Sequence, residues 1–114
     1  MNYEDMSDFE INSKVAMRLG RSVSSEHECI KTGACFILTS LAGVRVEFNP
    51  CNNPSDAWFI IASNDINLSK HKADDYWFAF VRAEDLGVSE FKCKDNNPLR
   101  AAMICFLKMK DAEK

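Results

Sequence analysis

Asn52-Asn53-Pro54-Ser55-Asp56-Ala57-Trp58-Phe59-Ile60-Ile61 is the stretch from which the fold can be read. Asn53 suits a helix N-cap, because its side chain can accept from an otherwise orphaned backbone N–H. Pro54 suits the first helical position, where its missing N–H removes nothing. Four large apolar side chains follow. They predict a helix from Pro54 to Ser63 or Asn64, apolar around most of its circumference and covered on more than one side. Trp58 is expected in its core, with the indole N–H paired. The same opening recurs at Asn96-Asn97-Pro98-Leu99-Arg100. It predicts a helix from Pro98 to about Lys110, with Leu99, Ala102, Met103 and Phe106 at helical spacing.

A third helix belongs near the N-terminus. Ser7-Asp8-Phe9-Glu10 is a capping box, with Ser at the cap and Glu three residues on. The helix runs to about Leu19, and Gly20 supplies a left-handed stop. Ile11, Val15 and Leu19 form its apolar stripe, leaving Asn12, Lys14 and Arg18 outward.

The strands lie between these helices. Ala34–Thr39 is short, apolar and β-prone, and Leu41-Ala42-Gly43 can turn it into Val44–Phe48. There Val44, Val46 and Phe48 are expected to face the core, with Arg45 and Glu47 in water. Tyr76-Trp77-Phe78-Ala79-Phe80-Val81 is aromatic and β-branched, apolar on both faces, and reads as a central strand. Arg82–Gly87 turns it into Val88–Cys93. Residues 21–30 and 64–75 lack periodicity and read as loops. The expected fold is α+β: one domain over 1–114, with three helices on a mostly antiparallel sheet of 3–4 strands, order α-β-β-α-β-β-α. The doubly apolar strand favours helices on both sheet faces.

Composition bounds the function. The chain has 114 residues, 46% of them hydrophobic, enough for a core without metal or disulfide support. A net charge of −3 argues against a general nucleic-acid binder, whose affinity comes mainly from neutralising phosphates, though it allows a local basic patch. The acidic start, Met1–Met6, lacks the apolar core of a secretory signal, and the apolar runs are too short to span a membrane. Five cysteines, an odd number without repeated spacing, are expected as reduced thiols.

Few residues suggest chemistry. His27 and Cys29, with Cys35 and Cys51 downstream, lack the second close pair that a zinc site needs. A cysteine–histidine nucleophile from Cys51, or from Cys93 beside His71, has no oxyanion loop or orienting acid to mark it. No glycine-rich phosphate loop occurs. No catalytic residue, metal ligand or cofactor is therefore assigned.

Arg100 is the anomaly, a cation in the first turn of a helix, where the dipole disfavours it. A carboxylate such as Asp56 would offset that, and so would an anionic ligand or partner. Trp77 is either core or an exposed anchor. The candidate binding surface is accordingly Asn52, Asn53 and Asp56 with Asn97, Arg100 and Trp77.

Three blocks carry a family resemblance: Ser7–Asn12, Cys51–Trp58 and Asn97–Ile104. Together they resemble the NinX family, small proteins of tailed phages and prophages of enteric bacteria. More distantly the layout is similar to phage α-β-α sandwich domains. Phe59 departs from the family pattern, which often has Pro after the Ala-Trp pair. The resemblance implies a phage gene product in the cytoplasm of the bacterial host, and no particular chemistry. The expected function is that of a non-enzymatic accessory protein binding a host or phage macromolecule, a protein before a nucleic acid, with no membrane. A nucleic-acid or nucleotide-related role, as a recombination accessory or small enzyme using Arg100 and exposed aromatics, is the alternative, and a small anionic ligand the third.

Overall fold

In the computed structural model, residues 2–24, 33–38, 44–73, 75–83 and 88–112 are described. The order is α1 (Asp8–Arg18), β1 (Ser22–Ser24), β2 (Cys35–Leu38), β3 (Arg45–Phe48), α2 (Pro54–Ser63), β4 (Asn67–Lys70), β5 (Trp77–Ala83), β6 (Val88–Asp95) and α3 (Pro98–Ala112). A 3-10 turn at Tyr3–Asp5 precedes α1. The α+β class and the three helices stand as expected. The strands form two antiparallel sheets, β1-β2-β3 and β4-β5-β6, in place of one sheet of 3–4 strands.

The helix ends follow local chemistry. Ser7 accepts from the Glu10 N–H at 3.2 Å, as its capping box requires. Gly20, at φ +80°, lets the Arg21 N–H reach back to the Ala16 carbonyl at 2.9 Å and close α1. Asn53 caps α2 through the Ser55 N–H at 3.0 Å. Asp65 stops that helix in the left-handed region at φ 53°, with the Ile66 N–H on the Ile61 carbonyl at 3.1 Å.

Two strands lie where loops are expected. Ser22–Ser24 pairs with β2, and Asn67–Lys70 pairs with β5. Both are short edge strands of polar composition, so their ladder bonds come from the neighbouring strand and not from an apolar pattern of their own. The β2–β3 pairing is found as predicted, with Cys35 opposite Phe48. The connecting turn, Leu41-Ala42-Gly43, and Thr39 lie outside the described residues, as do 25–32 and 84–87. Phe48 is buried, but Val44 and Val46 are exposed, against expectation. β3 is an edge strand, and α1 packs on β1 and β2.

α3 is the packing centre. Its residues 101–107 are all buried, with Phe106 only 1% exposed. The helix packs on β4, β5 and β6 and also on α1 and α2. α1 in turn packs on the first sheet. The helices thus join two sheets, where one sheet between helices was expected. β5 is the central strand of the second sheet, as its sequence predicts. Ala79 and Cys93 sit opposite each other and belong to the core.

α2 reverses its expectation. Ala57, Ile60 and Ile61 are buried, whereas Trp58 is 68% exposed and Phe59 48%. A helix packed chiefly on one neighbour buries one stripe, and consecutive apolar residues cannot all lie on it.

The N-terminal segment lies along α3. The Tyr3 hydroxyl donates to Asp111, Lys108 pairs with Glu4 at 3.3 Å, and Arg18 pairs with Asp111 at 2.9 Å. Burial, reinforced by Asp111, pushes the Tyr3 hydroxyl up to about 12.

Phe106→Ala should lower unfolding stability by roughly 3–5 kcal/mol. Trp58→Ala should change it by no more than about 0.5 kcal/mol. Urea denaturation of the two variants checks the assignment of the core.

Candidate functional site

The two Asn-Asn-Pro helix starts lie side by side. The Asn97 amide donates to the Cys51 carbonyl at 2.7 Å and to Asn52 Oδ1 at 3.1 Å. Asn97 Oδ1 meanwhile accepts from the Leu99 and Arg100 N–H groups at 3.0 and 3.3 Å, so one side chain caps α3 and ties it to α2. Asn52 reaches onward to Asp8 Oδ2 at 3.0 Å, at the first turn of α1. Three helix starts therefore meet in one polar cluster.

Arg100 holds that cluster together. Its Nη1 donates to Asp8 Oδ1 at 2.6 Å and its Nε to Asp95 Oδ2 at 3.0 Å. Its Nη2 donates to the Met6 carbonyl at 2.7 Å. The carboxylates at this cation are Asp8 and Asp95; Asp56 instead accepts from the Asn49 N–H at 2.9 Å. Two acids thus offset the unfavourable place of Arg100 at a helix start. The charge is shielded, with the Arg100 side chain 13% exposed, and all three of its nitrogens donate within the protein. The planar fork suits this use, since one ammonium could not span the same acceptors. Asp8, chiefly through its hydrogen bond, holds the Arg100 pKa above its ordinary value against the effect of burial.

Beneath this layer Asn12 is fully buried, not outward as the helix stripe suggests. Its amide donates to the Gly33 carbonyl at 2.9 Å and to Asn49 Oδ1 at 2.8 Å. Its Oδ1 accepts from the Cys51 N–H at 3.0 Å. A buried amide with three partners is tolerated in a core; without them it would be costly. Gly33, at φ +76°, is required here, because a Cβ would stand 2.8 Å from Asp8 Cβ.

The six candidate residues separate into a connected group and its margins. Asn52, Asn97 and Arg100 are joined through Asp8. Asn53 caps the adjacent helix, and Asp56 joins through Asn49. Trp77 lies opposite Asp95 across β5 and β6, half-buried. The sequence reading missed Asp8, Asn12, Asn49 and Asp95 as members. The available signal was the residues just before the two helix starts, Asn49-Pro50-Cys51 and Asp95-Asn96.

Burial keeps the four thiols among the described residues in the protonated form. Cys35, Cys51, Cys93 and Cys105 are free and buried. Burial raises all four, Cys93 to about 11 and Cys105 to about 12. Among the described residues no group of three or more His, Cys, Asp or Glu could hold a metal ion. His27 and Cys29 lie outside them. Among the described residues, too, no helix is long and apolar enough to cross a membrane.

These features define a small α+β protein whose helix starts are locked by an asparagine, aspartate and arginine cluster. The chain belongs to the phage family described as Bacteriophage P22, NinX, whose family model matches residues 2–110. No curated protein matches it.

Arg100→Lys should lower stability by roughly 1.5–3 kcal/mol, because hydrogen bonds between charged groups are lost while the net charge is kept. Chemical unfolding at neutral pH measures it; an unchanged midpoint would show that the fork carries no weight.

Proposed function

We propose that the protein is a phage or prophage accessory factor that acts in the bacterial cytoplasm by binding a host or phage protein, without chemistry of its own. The observation that supports this reading is the exposed pair Trp58 and Phe59 on α2. Large aromatic side chains left in water on a well-packed helix are the usual anchors of a protein interface. Trp58 also lines an open hollow with Ile61, Ala62, Ile66 and Leu68, between the end of α2 and β4. Exposed Asn52 and Asn53 stand at the start of the same helix.

Readings that place a nucleotide or small anion on Arg100 have weaker support, because its nitrogens are turned inward to Asp8, Asp95 and Met6.

The test is affinity capture from phage-infected cells after nuclease treatment, followed by reconstitution with the purified partner. A partner protein should bind directly, and the double variant Trp58→Ala, Phe59→Ala should weaken it by more than about tenfold at an unchanged melting temperature. A partner held equally well by the double variant, or one lost on nuclease treatment, would contradict the proposal.

A further inference from the structure

The face of the second sheet turned away from α3 carries a row of aromatic rings outside the core. Phe78 and Phe80 alternate along one face of β5, opposite in direction to the buried Ala79 and Val81, and Tyr76 stands just before the strand. All three are half-buried, and none belongs to the core cluster or packs against it. Two of them join His71 in one cluster of rings. Tyr76 and Phe78 meet edge to face at 5.3 Å, and the His71 ring stacks on Tyr76 at 5.2 Å and 16°.

The flanking strands set the charge. Across the two ladders Phe78 faces Ser69 and Lys94, and Phe80 faces Asn67 and Lys92. Those four neighbours are two cations and two neutral polar residues, while Glu4 and Lys108 line the hollow that Phe78 shares with Lys92 and Lys94. Lys92 and Lys94 are exposed, and Lys94 Nζ stands 5.0 Å from the centroid of the Tyr76 ring. A net charge of −3 thus coexists with a locally basic aromatic face.

From this juxtaposition we infer that the β4-β5-β6 face binds single-stranded nucleic acid, with bases on Tyr76, Phe78 and Phe80 and phosphates at Lys92 and Lys94. Each part of the surface answers one part of that ligand. Alternate residues leave the strand about 7 Å apart along the backbone, a repeat that extended, unstacked bases can follow. Every base has a π face, so such a platform is tolerant of sequence. The lysines beside the rings meet the phosphates that run along the stacked bases. A duplex fits poorly, because its bases are already stacked on each other and closed to the rings. A second copy of the chain fits poorly too, since it would bring lysine against lysine. This surface uses residues other than Trp58, Phe59 and Arg100, and stands or falls separately from the protein-binding reading.

Fluorescence anisotropy of a labelled oligo-dT of about 15 nucleotides tests it. The intact protein should bind at low salt, with a log–log salt slope of about −1.4, as expected when Lys92 and Lys94 neutralise two phosphates. A duplex of equal length should bind at least about tenfold more weakly. Phe78→Leu and Tyr76→Leu keep apolar bulk but lose the flat ring, and each should weaken binding roughly 5- to 100-fold. The double variant Lys92→Glu, Lys94→Glu should abolish binding; its changes are on exposed side chains, so it decides the matter if a ring variant fails to fold. The inference is overturned by no binding at low salt, by equal binding of duplex, or by lysine variants that bind as the intact protein does. A dimer in sedimentation that Phe78→Leu dissociates would assign the face to a second copy instead.

Discussion

One guanidinium between two carboxylates is the contact on which the arrangement of this protein depends. Arg100 belongs to α3, Asp8 to α1 and Asp95 to the end of β6, so a single side chain fixes three elements from distant parts of the chain. The desolvation of a largely shielded cation is offset here by short charge-assisted hydrogen bonds and by carbonyls of the N-terminal segment. The asparagines complete what the charges begin. Asn97 and Asn52 connect the starts of α3 and α2, and buried Asn12 connects α1 to the Asn49–Cys51 turn. Because the amides and acids within it have specified partners, the cluster fixes orientation as well as proximity.

That fixed end allows α3 to serve as the centre of the domain. Its run from Ala101 to Leu107 is covered by the second sheet on one side and by α1 and α2 on others. Small residues at Ala101, Ala102 and Cys105 permit the approach of so many neighbours, while Met103, Ile104, Phe106 and Leu107 fill the space between them. Among the described residues, the same geometry leaves the outer side of α2 and the far face of the second sheet without helical cover. Aromatic side chains there stay exposed or half-buried, Trp58 and Phe59 on one and Tyr76, Phe78 and Phe80 on the other, and both proposals rest on them.

Local rules in the sequence were reliable where the structure is local. The Ser7 capping box, the Gly20 stop, the Asn53-Pro54 start and the central strand at Trp77–Ala83 can all be read from neighbouring residues. What could not be read is what depends on distant partners. Ser22–Ser24 and Asn67–Lys70 have no apolar alternation and become strands only because β2 and β5 accept them. Asn12 looks like a solvent residue until Gly33, Asn49 and Cys51 are brought to it. Trp58 looks like core because hydrophobicity names a preference, while the number of covering neighbours decides its fate. For the candidate site, Arg100 stood out by its conflict with the helix dipole, yet its partners Asp8 and Asp95 were hidden in ordinary capping and turn contexts.

The direct test of this account is a double-mutant cycle between Asp8 and Arg100, read by urea unfolding of Asp8→Ala, Arg100→Ala and the combined variant. If the pair locks the helix starts together, the two changes will be strongly non-additive, with a coupling of roughly 1–3 kcal/mol. Additivity to within about 0.5 kcal/mol would contradict it, and would leave packing around α3 as what orders the domain.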